Sequence, residues 1–212
     1  MMSLVSLLVL ADSRLPAGGH VHSGGAEEAV TAGLVYDVDT LRAYLRRRIR
    51  SCGLVTASIA AAVTDGRLAP VAADRETDAR TPSPAARAAS RAQGRGLTRL
   101  ARRVWPDAEA WDTLGRTPHL PVAAGVAGML SGLSATQTAV SVVYTTMTGV
   151  ATAAQRLLAL DPADVAALTF ELAGLCEETA AMAAAELTDL SDPLLDVLAE
   201  QHTWRDRPLF AS

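Results

Sequence analysis

Apolar residues recur along this chain at three- and four-residue intervals and nowhere alternate convincingly, so the pattern predicts helices throughout. Leu4, Leu7, Leu8 and Ala11 share one helical face, and Asp12, Ser13 and Pro16 then compete for backbone hydrogen bonds and fix φ. A short buried helix is expected to end near Asp12. Gly18, Gly19, Gly24 and Gly25 free the next stretch for positive φ or close backbone approach. Ser23 is placed to cap a second helix, with Glu27 and Glu28 in its first turn and Gly33 at its end. Asp39 is placed to cap a third, burying Leu41, Tyr44, Leu45 and Ile49 and splaying Arg46, Arg47 and Arg48 outward. Gly53 interrupts, and a small-residue helix continues to the turn at Asp65 and Gly66.

From Arg75 to Arg80 the chain is charged, and Pro84 suits the first turn of a long amphipathic helix reaching Val104. Arg87, Arg91, Arg95, Arg99 and Arg103 repeat every four residues along it, opposite Leu97, Leu100 and Val104. Trp105 to Pro118 reads as a loop or short turn. Between Arg116 and Arg156 no Asp, Glu or Arg occurs, yet glycines and hydroxyl residues interrupt the run. That composition fits the tightly packed centre of a bundle better than a membrane span. Asp161 with Pro162 opens a helix running through Leu168, Leu172 and Leu175 towards Leu187. Ser191, Asp192 and Pro193 open the last one, which ends before Pro208. The fold expected is all-α, a single compact multi-helix bundle over residues 1–212, with 203–212 a partner-binding or docking tail.

Half of the 212 residues are apolar, enough for a proper core, and only Cys52 and Cys176 are present. With no signal-peptide pattern, two free thiols and a cytoplasmic location are expected. All 19 basic residues are arginine, which excludes a phosphate-binding loop lysine and Schiff-base chemistry. A net charge of −4 argues against nucleic acid as a partner.

His20 and His22 lie two apart on a loop, with Glu27 as a nearby carboxylate, a partial set for a transition metal. Four-ligand spacing is missing, however, and a histidine in a Gly-rich loop ordinarily fixes the turn by bonding backbone. A hydrolase would take Ser13 or Ser23 as nucleophile, His22 as base and Asp12 or Glu27 as orienter, but no strand-turn-helix elbow surrounds either serine. Asp74, Glu76 and Asp78 read as a solvated or ion-paired face beside Arg75 and Arg80. The arginine stripe reads residue by residue as a solvated face and as a whole as a docking surface. In the tail, Trp204, Leu209 and Phe210 need cover, on this bundle or on a partner; an extended tail ordering on binding is the simpler expectation.

The stretch from Asp12 to Ala29, DSRLPAGGHVHSGGAEEA, resembles the signature of the urease accessory protein UreF family, matching it at Asp12, Ser13, Pro16, Gly18, His22, Ser23, Gly25 and Glu27. His20 departs, standing where the family has an aromatic residue. RETDAR with the run from Ser90 to Arg95, and the ending of the Leu-Phe-x-Ser kind, are similar to further family blocks. The resemblance implies an all-α, dimerising, non-catalytic protein without a cofactor. Such a protein joins the accessory protein UreD (also called UreH) and the GTPase UreG, and through them the urease apoprotein, to deliver nickel. It also makes Pro16, Gly18, His22, Ser23, Gly25, Glu27, Arg91, Arg95, Leu209, Phe210 and Ser212 candidates for partner binding. The alternative is a small metal-dependent or serine hydrolase centred on His20, His22 and Ser23.

Overall fold

Helix α8 (Ala135–Leu158) runs through the middle of the bundle, and its hydroxyl- and alanine-rich sequence lets α4 (Leu54–Thr64) and α10 (Ala173–Ala185) lie closely against it. The computed structural model describes residues 4–15, 18 and 20–212; Pro16 and Gly19 lie outside the described residues. Among these residues it contains eleven α-helices and no strand, so the fold is all-α. The other helices are α1 (Leu4–Leu10), α2 (Ala26–Thr31), α3 (Val38–Arg48), α5 (Pro70–Ala79), α6 (Pro84–Val104), α7 (Leu120–Leu130), α9 (Pro162–Glu171) and α11 (Pro193–His202). None of them is long and apolar enough to cross a membrane.

Helix α4 divides two hydrophobic clusters. One of its faces gives Leu54, Ala57, Ala60 and Ala61 to a core with Leu41, Leu45, Met147, Leu168, Leu172, Leu198 and Phe210. The other gives Val55, Ile59 and Val63 to a second cluster with Ala73, Trp111, Val122 and Val126. Thr64 ties the helices where they meet, its hydroxyl donating to the Gly125 carbonyl at 3.0 Å and lying 3.1 Å from that of Thr138.

Local departures from the sequence pattern have identifiable causes. The cap of α3 is Asp37, not Asp39: its carboxylate accepts from the Thr40 N–H at 2.8 Å and the Thr40 hydroxyl returns the bond, completing a capping box. Gly53 does not interrupt the chain, because a π-helical turn over Ile49–Gly53 carries α3 into α4. The charged segment at Arg75 lies in α5, and the helix opened by Asp161 breaks at Leu172 into α9 and α10. Asp192 makes no side-chain cap; it pairs with Arg47 at 2.6 and 2.7 Å. Helix α1 is not buried, since Leu4, Val5, Leu8 and Val9 are all exposed.

Candidate functional site

Residues from both ends of the chain meet at Glu27, which stands on α2 with a side chain only 2 % exposed. Its carboxylate accepts from the backbone N–H of Leu209 (2.9 Å) and Phe210 (3.2 Å), shares a hydrogen bond with His202 Nε2 (3.1 Å), and lies 3.7 Å from Arg205. Arg205 also pairs with Glu28 and donates to the Thr31 hydroxyl. Beyond the carboxylate, the tail runs beside the signature loop: Ala211 N–H donates to the Val21 carbonyl, and Ser23 N–H to that of Ser212. His22 Nδ1 shares a 2.6 Å hydrogen bond with the Ser212 hydroxyl. Phe210 is buried in the main core under the guanidinium of Arg156, 5.1 Å from its ring centre. The tail is therefore docked on its own chain, with Trp204 and Leu209 left 81 % and 75 % exposed.

The loop takes its shape from its backbone. The Gly18 carbonyl accepts from the N–H of both Val21 and His22. Gly25, the cap of α2, sits at φ +87°, and a Cβ there would stand 2.9 Å from the Tyr44 hydroxyl, so a side chain is excluded on both counts. Ser23 is fully buried one turn before Glu27, whose N–H donates to its hydroxyl at 3.3 Å.

Burial pushes the Glu27 carboxyl up, but the Leu209 N–H, His202, the Phe210 N–H and Arg205 outweigh it and hold the group below its ordinary value. Burial, followed by the charge of His202, holds the His22 imidazole below its ordinary 6.5. As pH falls through that value the unfolded chain takes the His22 proton before the folded one, so stability present above it is lost below. Thermal unfolding is expected to shift to lower temperature between about pH 7.5 and about pH 5.5, with His22→Gln flattening the dependence. The Glu27 contribution persists through that window and is lost only at more acid pH.

A second buried constellation joins α5, α6 and the start of α7. His119, fully buried, sets Nε2 2.8 Å from Asp78 and Nδ1 3.0 Å from the Ser90 hydroxyl, and its backbone N–H donates to Asp74 at 2.9 Å. Arg91 donates to Asp74 (3.0 Å), to Asp78 (2.7 Å) and to the Thr117 carbonyl (2.6 Å). The carboxylates at 74 and 78 are thus ion-paired and half-buried, with His119 and Arg91 on their inner side. Burial raises the Asp78 carboxyl, but the His119 hydrogen bond and Arg91 outweigh it and hold the group low. The arginine stripe is split: Arg91 is half-buried against Asp74 and Asp78, whereas Arg95 and Arg99 are exposed. His119 has one signal in the sequence, that it is the lone histidine between Arg116 and Arg156, in a stretch without Asp, Glu or Arg.

These positions constrain the chemistry. The ring of His22 faces Ser212, Ser23 bonds its own helix, and His20 is exposed, so among the described residues neither Ser13 nor Ser23 is hydrogen-bonded to a histidine. Glu27 is engaged by the tail and does not converge with the two histidines on a metal position. Among the described residues one group, Asp74, Asp78 and His119, brings ligand atoms within 4.8 Å of one another, and there Arg91 already bridges both carboxylates. That Ser90, His119 and Asp78 contact in sequence invites comparison with a catalytic triad, but the Ser90 hydroxyl also accepts the Leu120 N–H at 3.2 Å, as a helix-start cap does. Cys176 is held up at about 11 by burial, and burial likewise raises Cys52, so neither thiol is activated.

The family model described as UreF matches residues 35–173. Over its full length the chain is 74 % identical to the urease accessory protein UreF of Mycolicibacterium vanbaalenii, covering all of that protein. It is 72 % identical to the protein of the same name from a Mycobacterium species and 69 % to that of Mycobacterium marinum, again over the whole of each. Joined to an all-α fold in which the signature loop and the tail interlock, these likenesses make the chain a member of the UreF family of urease accessory proteins.

Proposed function

We propose that the chain is a non-catalytic adaptor in nickel-dependent maturation of urease, bridging UreD/UreH and the GTPase UreG in the cytoplasm and acting as a homodimer. The observation that carries this reading is the loop-and-tail unit itself, which spends its polar groups on holding a shape and leaves Trp204 and Leu209 exposed beside it. Large apolar side chains on a fixed surface suit contact with another protein, where aromatic anchors dominate. The exposed Leu4, Val5, Leu8 and Val9 of α1 supply a separate apolar face for a second copy. The accessory role named for the relatives supports the same reading.

Deleting the tail is a blunt test, because Phe210 belongs to the core and its removal also costs stability. The double variant Trp204→Ala/Leu209→Ala removes only exposed side chains. It is expected to keep wild-type helical content by circular dichroism and to lose co-purification with UreD and UreG from a co-expressing host. A folded variant that retains both partners contradicts the proposal.

A further inference from the structure

A cavity of about 340 Å³ lies under the signature loop, between it and α4, α6, α8 and α11. Its walls include His22, Gln93, Thr145, Thr146 and Gly149, and the guanidinium of Arg48. Arg48 is part-buried at the end of α3, and its Nε is sealed from solvent without an acceptor. The Tyr44 hydroxyl is its neutral partner, and the Asp192 carboxylate, beyond salt-bridge contact, also favours its charge. Among the described residues no carboxylate pairs with it. The acids on the same walls are engaged elsewhere: Asp12 by Arg14, Asp192 by Arg47 and Ser51, Asp196 by the Ser83 N–H.

A guanidinium stays protonated at any physiological pH, so this site cannot relieve an unpaired interior charge by losing its proton as a lysine does. Buried charge is tolerated where it is paired and hydrogen-bonded, and a planar fork of N–H donors matches an oxyanion. The cavity exceeds several-fold the roughly 30 Å³ share of a water molecule, leaving room for an anion and its remaining hydration. We propose that this cavity binds a small free oxyanion of the carboxylate, sulfate or phosphate type, with Arg48 as its charge partner and retained water completing the shell. The site stands independently of the adaptor reading.

The test is calorimetric titration of the full chain with sodium sulfate, sodium phosphate and sodium formate, with ionic strength held constant by chloride. Saturable binding of at least one of them is expected, weakened by about tenfold or more in Arg48→Met. Because Arg48→Met removes a partner of Tyr44 and could fail to fold, Gly149→Leu provides a second arm. A Cβ at Gly149 meets nothing within 4 Å, so the larger side chain can fill the cavity with Arg48 left in place, and it is expected to weaken binding to a similar degree. Absence of saturable binding to the wild-type chain overturns the proposal, as it would if Arg48 awaited a carboxylate from a partner protein. Undiminished binding in either folded variant overturns it too.

Discussion

Glu27→Ala is expected to destabilise the chain by about 3–5 kcal/mol, the cost of removing one member of a buried charged network and leaving its partners unpaired. The Leu209 and Phe210 N–H groups, His202 and Arg205 all lose their common acceptor. Few other positions hold so much through one side chain. Total stability of a domain is about 5–15 kcal/mol, so the loss is a large fraction of it. Glu27→Gln retains the volume and one acceptor oxygen and is expected to fall between the wild type and Glu27→Ala. Urea denaturation measures both. Near-wild-type stability for Glu27→Ala would mean that the tail is held by Phe210 burial alone.

Gly94→Ala is the second large effect, and its sign is the informative part. Alanine in a helix interior is ordinarily more favourable than glycine by about 1 kcal/mol. At Gly94, however, a Cβ would overlap the Pro118 carbonyl oxygen and stand 2.8 Å from the His119 carbonyl carbon, both backbone atoms that cannot swing aside. Helix α6 must then move off the start of α7, straining the Ser90, Arg91, His119 and Asp78 contacts together. The overpacking cost is about 3 kcal/mol, which exceeds the propensity gain and leaves the variant destabilised. Gly174→Ala on α10 is the control, because its Cβ meets nothing within 4 Å; there the helix preference is expected to win and the protein to gain stability. Thermal unfolding of the pair separates the two effects.

The contrast between those glycines also marks what the sequence can disclose. The helical class, the long α6, the small-residue centre and the cap at Asp161 follow from periodicity and local chemistry, and the structure has them. Helix α5 is obscured because Asp74, Asp78 and Arg80 are half-buried and ion-paired beside the buried Ala73 and Thr77; their partners, His119, Arg91 and the carbonyl of Thr188, lie further along the chain. The break at Leu172 has no proline to announce it, and the nearby Gly174 lies inside α10 rather than at the break. Asp192 carries the residue type and position of a cap, yet a long-range arginine claims its carboxylate.

The loop was legible as a rigid shape, but its purpose within the fold was not. The hydrogen bonds from His22 and Glu27 to the tail span most of the chain, and no local pattern encodes which end meets which. His202, which shares the Glu27 carboxylate, gives no sign of its role in an otherwise ordinary last helix. Arg48 was one of three adjacent arginines assigned to an exposed side, and the π-helical turn that follows α3 belongs to a stretch read as an interruption.

The most direct test of the adaptor reading is the nickel content and activity of urease purified from a co-expressing host that carries this chain, lacks it, or carries Trp204→Ala/Leu209→Ala. The expected result is nickel-loaded, active urease with the wild-type chain, and nickel-poor, inactive apoprotein in the other two strains. Urease equally loaded with nickel in the strain without the chain would contradict it.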